Sequence, residues 1–381
     1  MSVVPSQCGP HKRSRGIALL IVLVIVMLMI TAVYLFQRRA VINVSIARNR
    51  LAASEADAIA RGGLRIGEAV AFLVRLHDEA GGAAGGDGEQ PLDTPPTLPL
   101  PGGGLGDLWQ QLGDVPIELE GGRSLRIEIE DVAARLNLNA LVAQQGGEGD
   151  EEASSTTDDE AIEYLVEVLR YIIEGIDAPA EEKIYDERAI ARNLIDYMDA
   201  DDTALDGRNE DEYYLGQDPP YRAANGPLLS FEEIGLVEGV DPPLLEAMRP
   251  YLTVHPIGGV EGINLNAAPP WVLSLVYAGT SGDRELVAER SVRDIWELRD
   301  EDKIVCTETG SDPIRCVSLN EVGLGEGSIY PETPLPASPS VFRVVAEARV
   351  GALVRRMEAI VDARSPDGPQ LLSWRRLRGP Q

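Results

Sequence analysis

From residue 17 to residue 36 the chain runs for 20 residues without a charge, IALLIVLVIVMLMITAVYLF. At about 1.5 Å of rise per residue, a helix of that length spans a hydrocarbon core of ~30 Å. The pattern therefore predicts a transmembrane helix over 17–36. No proline follows between Arg39 and His77, and Val41, Ile42, Val44, Ile46, Leu51, Ile59 and Leu64 alternate with Arg, Asn, Glu and Asp. An amphipathic continuation of the same helix is expected over 37–79. Ala52, Ala53, Ala56, Ala58 and Ala60 give it a small-residue face suited to lying on a sheet, and Gly62-Gly63 should weaken it locally.

Past this helix the pattern changes twice. Residues 80–136 open on a Gly/Pro-rich loop at 80–104 and then carry two strand candidates, 115–120 and 124–131, joined at Gly121-Gly122. The second, SLRIEIED, alternates apolar and charged positions as a half-buried strand does. A matching pair lies only near the C-terminus, 341–350 and 353–362 about Gly351-Ala352, within 336–364, leaving 365–381 as a tail. The intervening 137–335 reads as mostly helical, with helices at 158–175, 180–200, 230–237, 242–250, 270–278 and 291–300, and a polar acidic loop at 144–157. The expected class is α+β. A long N-terminal helix packs on a small antiparallel sheet, interrupted by a large α-helical inserted domain.

Charge narrows the function. With 62 acids against 34 bases the formal net charge is −28, which repels rather than binds a polyanion. Residues 234–252 and 263–275 resemble helix-hairpin-helix repeats, yet Glu238 and Asp241 flank the turn at Gly239 where such a hairpin would meet phosphate. A cleaved secretory signal is disfavoured, since Gln37-Arg38-Arg39 follows the apolar run with no small-residue cleavage pattern. Basic residues stand on both sides of the span, so charge alone leaves its orientation open.

The densest candidate chemistry is an acidic loop. Between Asp196 and Glu212 lie eight carboxylates, Asp196, Asp199, Asp201, Asp202, Asp206, Glu210, Asp211 and Glu212, against the single base Arg208. Such a cluster repels itself unless solvated or neutralised by a hard cation, and calcium takes six to eight oxygens in flexible geometry. Asp199, Asp201 and Glu210 fall at positions one, three and twelve of an EF-hand-like count, but Ala204 occupies the position that needs glycine. The metal-ligand candidates are Asp199, Asp201, Asp206, Glu210 and Asp211. Histidines 11, 77 and 255 are scattered, which disfavours a transition metal. No nucleophile–base pair or phosphate-binding glycine loop accompanies the acids, so an enzyme is not expected.

Several blocks carry a resemblance. Lys12-Arg13-Ser14-Arg15-Gly16 stands directly before the apolar run, and RLNLNAL (135–141), LIDYMDADD (194–202), GRNEDEYY (207–214), PPYRAANGPLLSFEEIGLVEGV (219–240) and INLNAAP (263–269) follow in order. In that order the chain resembles the K-type minor pseudopilins of bacterial type II secretion, with no correspondence over 80–110 and 280–335. The resemblance implies a pilin-like α/β core split by the inserted domain and a 1–16 leader. A prepilin peptidase would cut the leader between Gly16 and Ile17. It also implies a single inner-membrane span with the C-terminal domain in the periplasm, and calcium in the inserted domain. The partners implied are I- and J-type minor pseudopilins and the major pseudopilin, with contact through the 52–60 alanine face. Most pilins carry a glutamate at the fifth mature position, where it pairs with the amine of the subunit above. Here that position is Ile21, as expected for a subunit at the tip of the filament. The alternative is a tip minor pilin of a type IV pilus.

Cys8 belongs to the leader in this reading. Cys306 and Cys316 remain, an isolated pair with no histidine nearby, which favours a disulfide over a metal site.

Overall fold

The computed structural model describes residues 15–83, 109, 112–113, 115–143, 151–176, 185–201, 203–205, 207–301, 303–307, 315–325, 328–335, 337, 339–365 and 368–377. The 1–14 part of the expected leader, and Asp206 among the metal candidates, lie outside them. Helix α1 (Arg15–Ala83) is continuous for 69 residues, about 100 Å. It includes Gly16 and Ile17 and runs straight through Gly62-Gly63. Residues 19–51 are exposed throughout, and this is the one helix among the described residues long and apolar enough to cross a membrane.

Only the last third of α1 packs on protein. Ala56, Ala60, Leu64, Ala71 and Val74 are buried at spacings of three and four, one face of a helix. Gly63 and Gly67 sit in that face because nothing larger fits. A Cβ built at Gly67 would lie 2.3 Å from Val344 Cγ1, and one at Gly63 would lie 2.8 Å from Leu125 Cδ1. Of the alanine face expected to meet partners, Ala56 and Ala60 are covered by the protein's own sheet and Ala58 is exposed. That expectation is corrected: the face is used internally.

The sheet begins with β1 (Ile117–Leu119) and β2 (Arg123–Asp131), joined through Gly121 and Gly122, whose φ values of +81° and +70° suit glycine. After β2 the chain leaves for about two hundred residues. The insertion holds α2 (Glu151–Glu174), α3 (Glu187–Met198), α4 (Pro242–Met248) and α5 (Glu289–Asp300) around a core of its own that includes Tyr164, Leu165, Leu169, Leu194 and Ile195. Tyr164 stacks on Tyr277 with ring centroids 4.7 Å apart and donates to the Leu275 carbonyl at 2.7 Å. The insertion is not purely helical: it also contains a three-stranded sheet and two short parallel pairs. Helix α2 starts at Glu151, inside the expected 144–157 loop.

The chain then returns as β3 (Val341–Val350), β4 (Leu353–Asp362) and β5 (Gln370–Leu377). The five strands are antiparallel in the order β1-β2-β3-β4-β5, with Val344 opposite Ile129 on one side and Ala359 on the other. The 365–381 segment is therefore no mere tail, since 370–377 forms an edge strand. Nearly every residue of β5 is exposed, so it lacks the alternation that betrays a half-buried strand.

The two sheet faces differ. Leu125, Ile127, Phe342, Val344, Ala346, Met357 and Ala359 meet α1. The other face carries charge and looks toward the insertion across a cleft of about 490 Å³. There Arg343 bonds Glu358 and Glu130 (3.0 Å to the latter), and Glu130 also binds Arg135 at 2.8 Å. Arg375 of β5 joins Glu358 to Glu232 of the insertion, and Arg249 reaches Glu232 (3.3 Å) and Glu246 (2.9 Å). Burial alone would push the Glu358 carboxyl up, but the guanidiniums of Arg343 and Arg375 outweigh it and hold it below the ordinary range.

The two asparagine-bearing blocks tie the insertion together, and Asn264 joins it to the sheet. Asn139 Nδ2 donates to the carbonyls of Leu228 (2.9 Å) and Val254 (2.7 Å), and its Oδ1 accepts from the Leu228 N–H. Asn264 Nδ2 donates to Asp131 at the end of β2 (2.8 Å), and Asn266 exchanges two bonds with the Val305 backbone. Each satisfies buried backbone groups that no regular element serves.

Candidate functional site

The acidic loop starts where α3 stops. Asp186 caps the helix N-terminus by accepting from Ala189 N–H at 2.9 Å, and Ile190, Leu194 and Ile195 bury one face. At Asp199 the backbone turns extended (φ −69°, ψ 178°) while its N–H still donates to the Ile195 carbonyl. Asp201 Oδ1 then accepts from Thr203 N–H at 2.7 Å. Thr203 bridges Asn209, Ala204 N–H donates to the Arg208 carbonyl, and Gly207 turns the corner at φ +82°. This small hairpin brings Glu210, eleven positions on, back beside Asp199.

The result is a cluster of three. Carboxylate oxygens of Asp199, Asp201 and Glu210 all lie within 4.8 Å of one another, with Glu210 buried, Asp199 half-buried and Asp201 exposed. Two oxygens on opposite sides of one calcium ion stand about 4.6–5.2 Å apart, twice its usual bond length. The donor set is all oxygen and suits a hard cation; these three residues could hold a metal ion. Asp211 is outside the cluster: it accepts from Ala223 N–H at 3.1 Å and pairs with Arg222 at 3.3 Å. Asn225, at φ +43°, ties the loop down by donating to the Asp201 carbonyl at 2.6 Å. Beneath it Tyr197, Tyr214 and Tyr221 pack ring against ring, with centroids 5.3 and 5.5 Å apart. Burial holds the Tyr214 phenol well above its ordinary range, so it stays neutral beside the acids.

Comparison with known proteins adds the context. Residues 134–257 match the family model described as "Type II secretion system (T2SS), protein K". The chain is also 25% identical over 344 residues to the type II secretion system protein K of Pseudomonas aeruginosa, covering 90% of this chain and 86% of that one. Both comparisons make protein K of type II secretion what this chain is similar to. Among solved structures, one described as the GspK-GspI-GspJ complex of the enterotoxigenic Escherichia coli type 2 secretion system is similar, at 16% identity. Its TM-score is 0.49, over 87% of this chain and 99% of that chain.

The cysteines are joined as expected. Cys306 and Cys316 form a disulfide, with Cα atoms 5.4 Å apart. It ties two short parallel strands, Ile304–Cys306 and Cys316–Ser318, and Cys306 is fully buried. Replacing both by serine should lower stability by about 2–3 kcal/mol, because so short a loop removes little entropy from the unfolded chain. Chemical denaturation of the full chain measures this, and a loss below about 0.5 kcal/mol would contradict it.

The missed feature is aromatic. Trp109, Trp271 and Trp296 gather on a second cleft between sheet and insertion, although they are scattered over nearly two hundred residues. No local pattern links them. Only the Pro269-Pro270 start of the short helix Pro270–Leu273 marks Trp271 as a position set by a turn.

Proposed function

We propose that this chain is a structural minor pseudopilin, not an enzyme, placed at the tip of the type II secretion pseudopilus. There it nucleates or caps assembly for protein export across the outer membrane. One observation carries the reading. Between β2 and β3, hydrogen-bonded neighbours in one sheet, the chain inserts a domain with a hydrophobic core of its own. A body of that size is too wide for the flank of a thin helical filament, and nothing obstructs it at the end. Ile21 supports the same reading, because a subunit with none above it gains nothing from an acid in the membrane. Similarity to protein K of type II secretion favours the secretion system over a type IV pilus.

In this reading a prepilin peptidase removes residues 1–16 between Gly16 and Ile17, and α1 anchors the mature chain once in the inner membrane. The remaining domains lie in the periplasm. I- and J-type minor pseudopilins, and below them the major pseudopilin, pack on the exposed side of α1, where Leu51, Ile66, Leu73 and Leu76 are uncovered. The test uses the full chain. It should co-purify with I- and J-type subunits and not polymerise alone, and Ile21→Glu should bring no gain in secretion. Immunogold labelling along filament sides, or failure to bind either partner, would overturn the tip assignment.

Calcium is the ion proposed for Asp199, Asp201 and Glu210, with Asp206 as a further candidate. When bound it would neutralise converging carboxylates and fix the hairpin onto α3. At a hundred times its dissociation constant, calcium should add about 2.7 kcal/mol of stability. Magnesium should add little, because it dehydrates reluctantly. Melting of the full chain should thus fall in chelator and recover with calcium, and Asp199→Asn with Glu210→Gln should remove the response. An identical melt with and without chelator would rule the ion out.

A further inference from the structure

The second cleft, of about 650 Å³, has no role in the tip reading. Its walls include Trp271 and Trp296, which remain 49% and 42% exposed. Two half-exposed indoles on one cleft offer aromatic faces to a ligand. Trp296 is also held in place. The Arg299 guanidinium lies 5.2 Å from its ring centroid and is fixed by the carbonyls of Ala268, at 2.7 Å, and Leu265. Trp271 is anchored by its helical turn, whose Val272 and Leu273 are fully buried. The Trp296 ring and the backbone of Trp271 are therefore set before any ligand arrives, which lowers the ordering cost of binding.

The polar lining narrows the ligand. Arg135, which binds Glu130, and Lys303, which binds Glu301, share the lining with Arg315, Glu130 and Asp300, so charged donors and acceptors line the same space. An acidic peptide would meet Glu130 and Asp300 unfavourably, and a basic one would meet the three cations. A sugar ring meets neither difficulty. Its hydroxyls both donate and accept, and its C–H face is apolar enough to lie on an indole. The volume also falls within the range of small-ligand clefts. We infer that the Trp271–Trp296 cleft is a carbohydrate-binding site, with the two indoles as stacking platforms and Arg135, Lys303, Arg315, Glu130 and Asp300 as hydroxyl partners.

The experiment is a titration of the full chain, in a detergent without a sugar headgroup, against an array of neutral and acidic oligosaccharides. Saturable binding to at least one saccharide is expected, with indole N–H resonances of Trp271 and Trp296 shifting and that of Trp374, on the edge strand, unmoved. Trp271→Ala and Trp296→Ala should each weaken binding about tenfold or more, and the resonance shifts in the unaltered chain test the site even if a variant misfolds. Absence of saturable binding across the array would overturn the proposal. So would loss of a pseudopilin partner in the two variants without any saccharide binding, since that makes the cleft a protein-docking surface. Neither result depends on where in the filament the subunit sits.

Discussion

Truncating Glu358 to alanine is expected to destabilise the chain by about 1–3 kcal/mol, because it removes one of the two carboxylates that face the buried Arg343 and leaves Glu130 as its remaining counter-charge. Glu358 binds Arg343 and Arg375 together, so one deletion also cuts the path from the sheet to Glu232 on the insertion. Replacing Glu358 and Arg343 together by leucine and methionine should cost much less, since no unpaired charge then remains. The pH dependence has a definite sign. The folded carboxyl titrates below its unfolded value of about 4.3, so its contribution is fully present above that value. It is lost as the pH falls through the lower, folded value. Urea unfolding at neutral and acid pH measures both effects. A Glu358→Ala variant within about 0.5 kcal/mol of the unaltered chain at pH 7 would refute the network's role.

A second large effect is expected at the helix–sheet contact. Gly67→Leu should destabilise by about 3 kcal/mol or more, the upper end for overpacking, because even its Cβ would overlap Val344. Helix propensity works the other way, favouring most residues over glycine by up to about 1 kcal/mol, and is too small to compensate. Gly62 provides the contrast. Nothing lies within 4 Å of a Cβ there, so Gly62→Ala should stabilise by about 0.5–1 kcal/mol. Thermal melts of the two variants should thus move in opposite directions. A shift of the same sign at both positions would mean that propensity, not packing, placed these glycines.

These contrasts show how far local patterns reach. The apolar run of 17–36 is visible by its length and lack of charge, and the amphipathic continuation, β2 and the β3–β4 hairpin each carry a period visible in a short window, 3.6 for the helix and 2 for the strands. Strand β5 carries none, because an edge strand exposed on both faces has no buried side to alternate. Helix α2 begins earlier than the apolar period that marks it from Ile162 onward. Cys306 and Cys316 were a pair by elimination, and the two short strands they join explain why the bond forms there.

At the acidic loop the division is sharper. Composition alone marked the loop as self-repelling and drew Asp199, Asp201 and Glu210 together by their count. It gave Asp211 equal standing, because sequence spacing does not show that Ala223 and Arg222 engage that carboxylate. Likewise the alanine face of α1 was legible as a face, but not which body covers it. Sequence by itself determined the anchor, the split α+β plan and the acidic loop, all set by local periodicity and charge. Only the tertiary structure decided that Gly63 and Gly67 seat α1 on the sheet, that Arg375 bridges β5 to the insertion, and that Trp271 and Trp296 share a cleft. Those facts depend on residues tens to hundreds of positions apart meeting across the fold, and no short-range pattern encodes such a meeting.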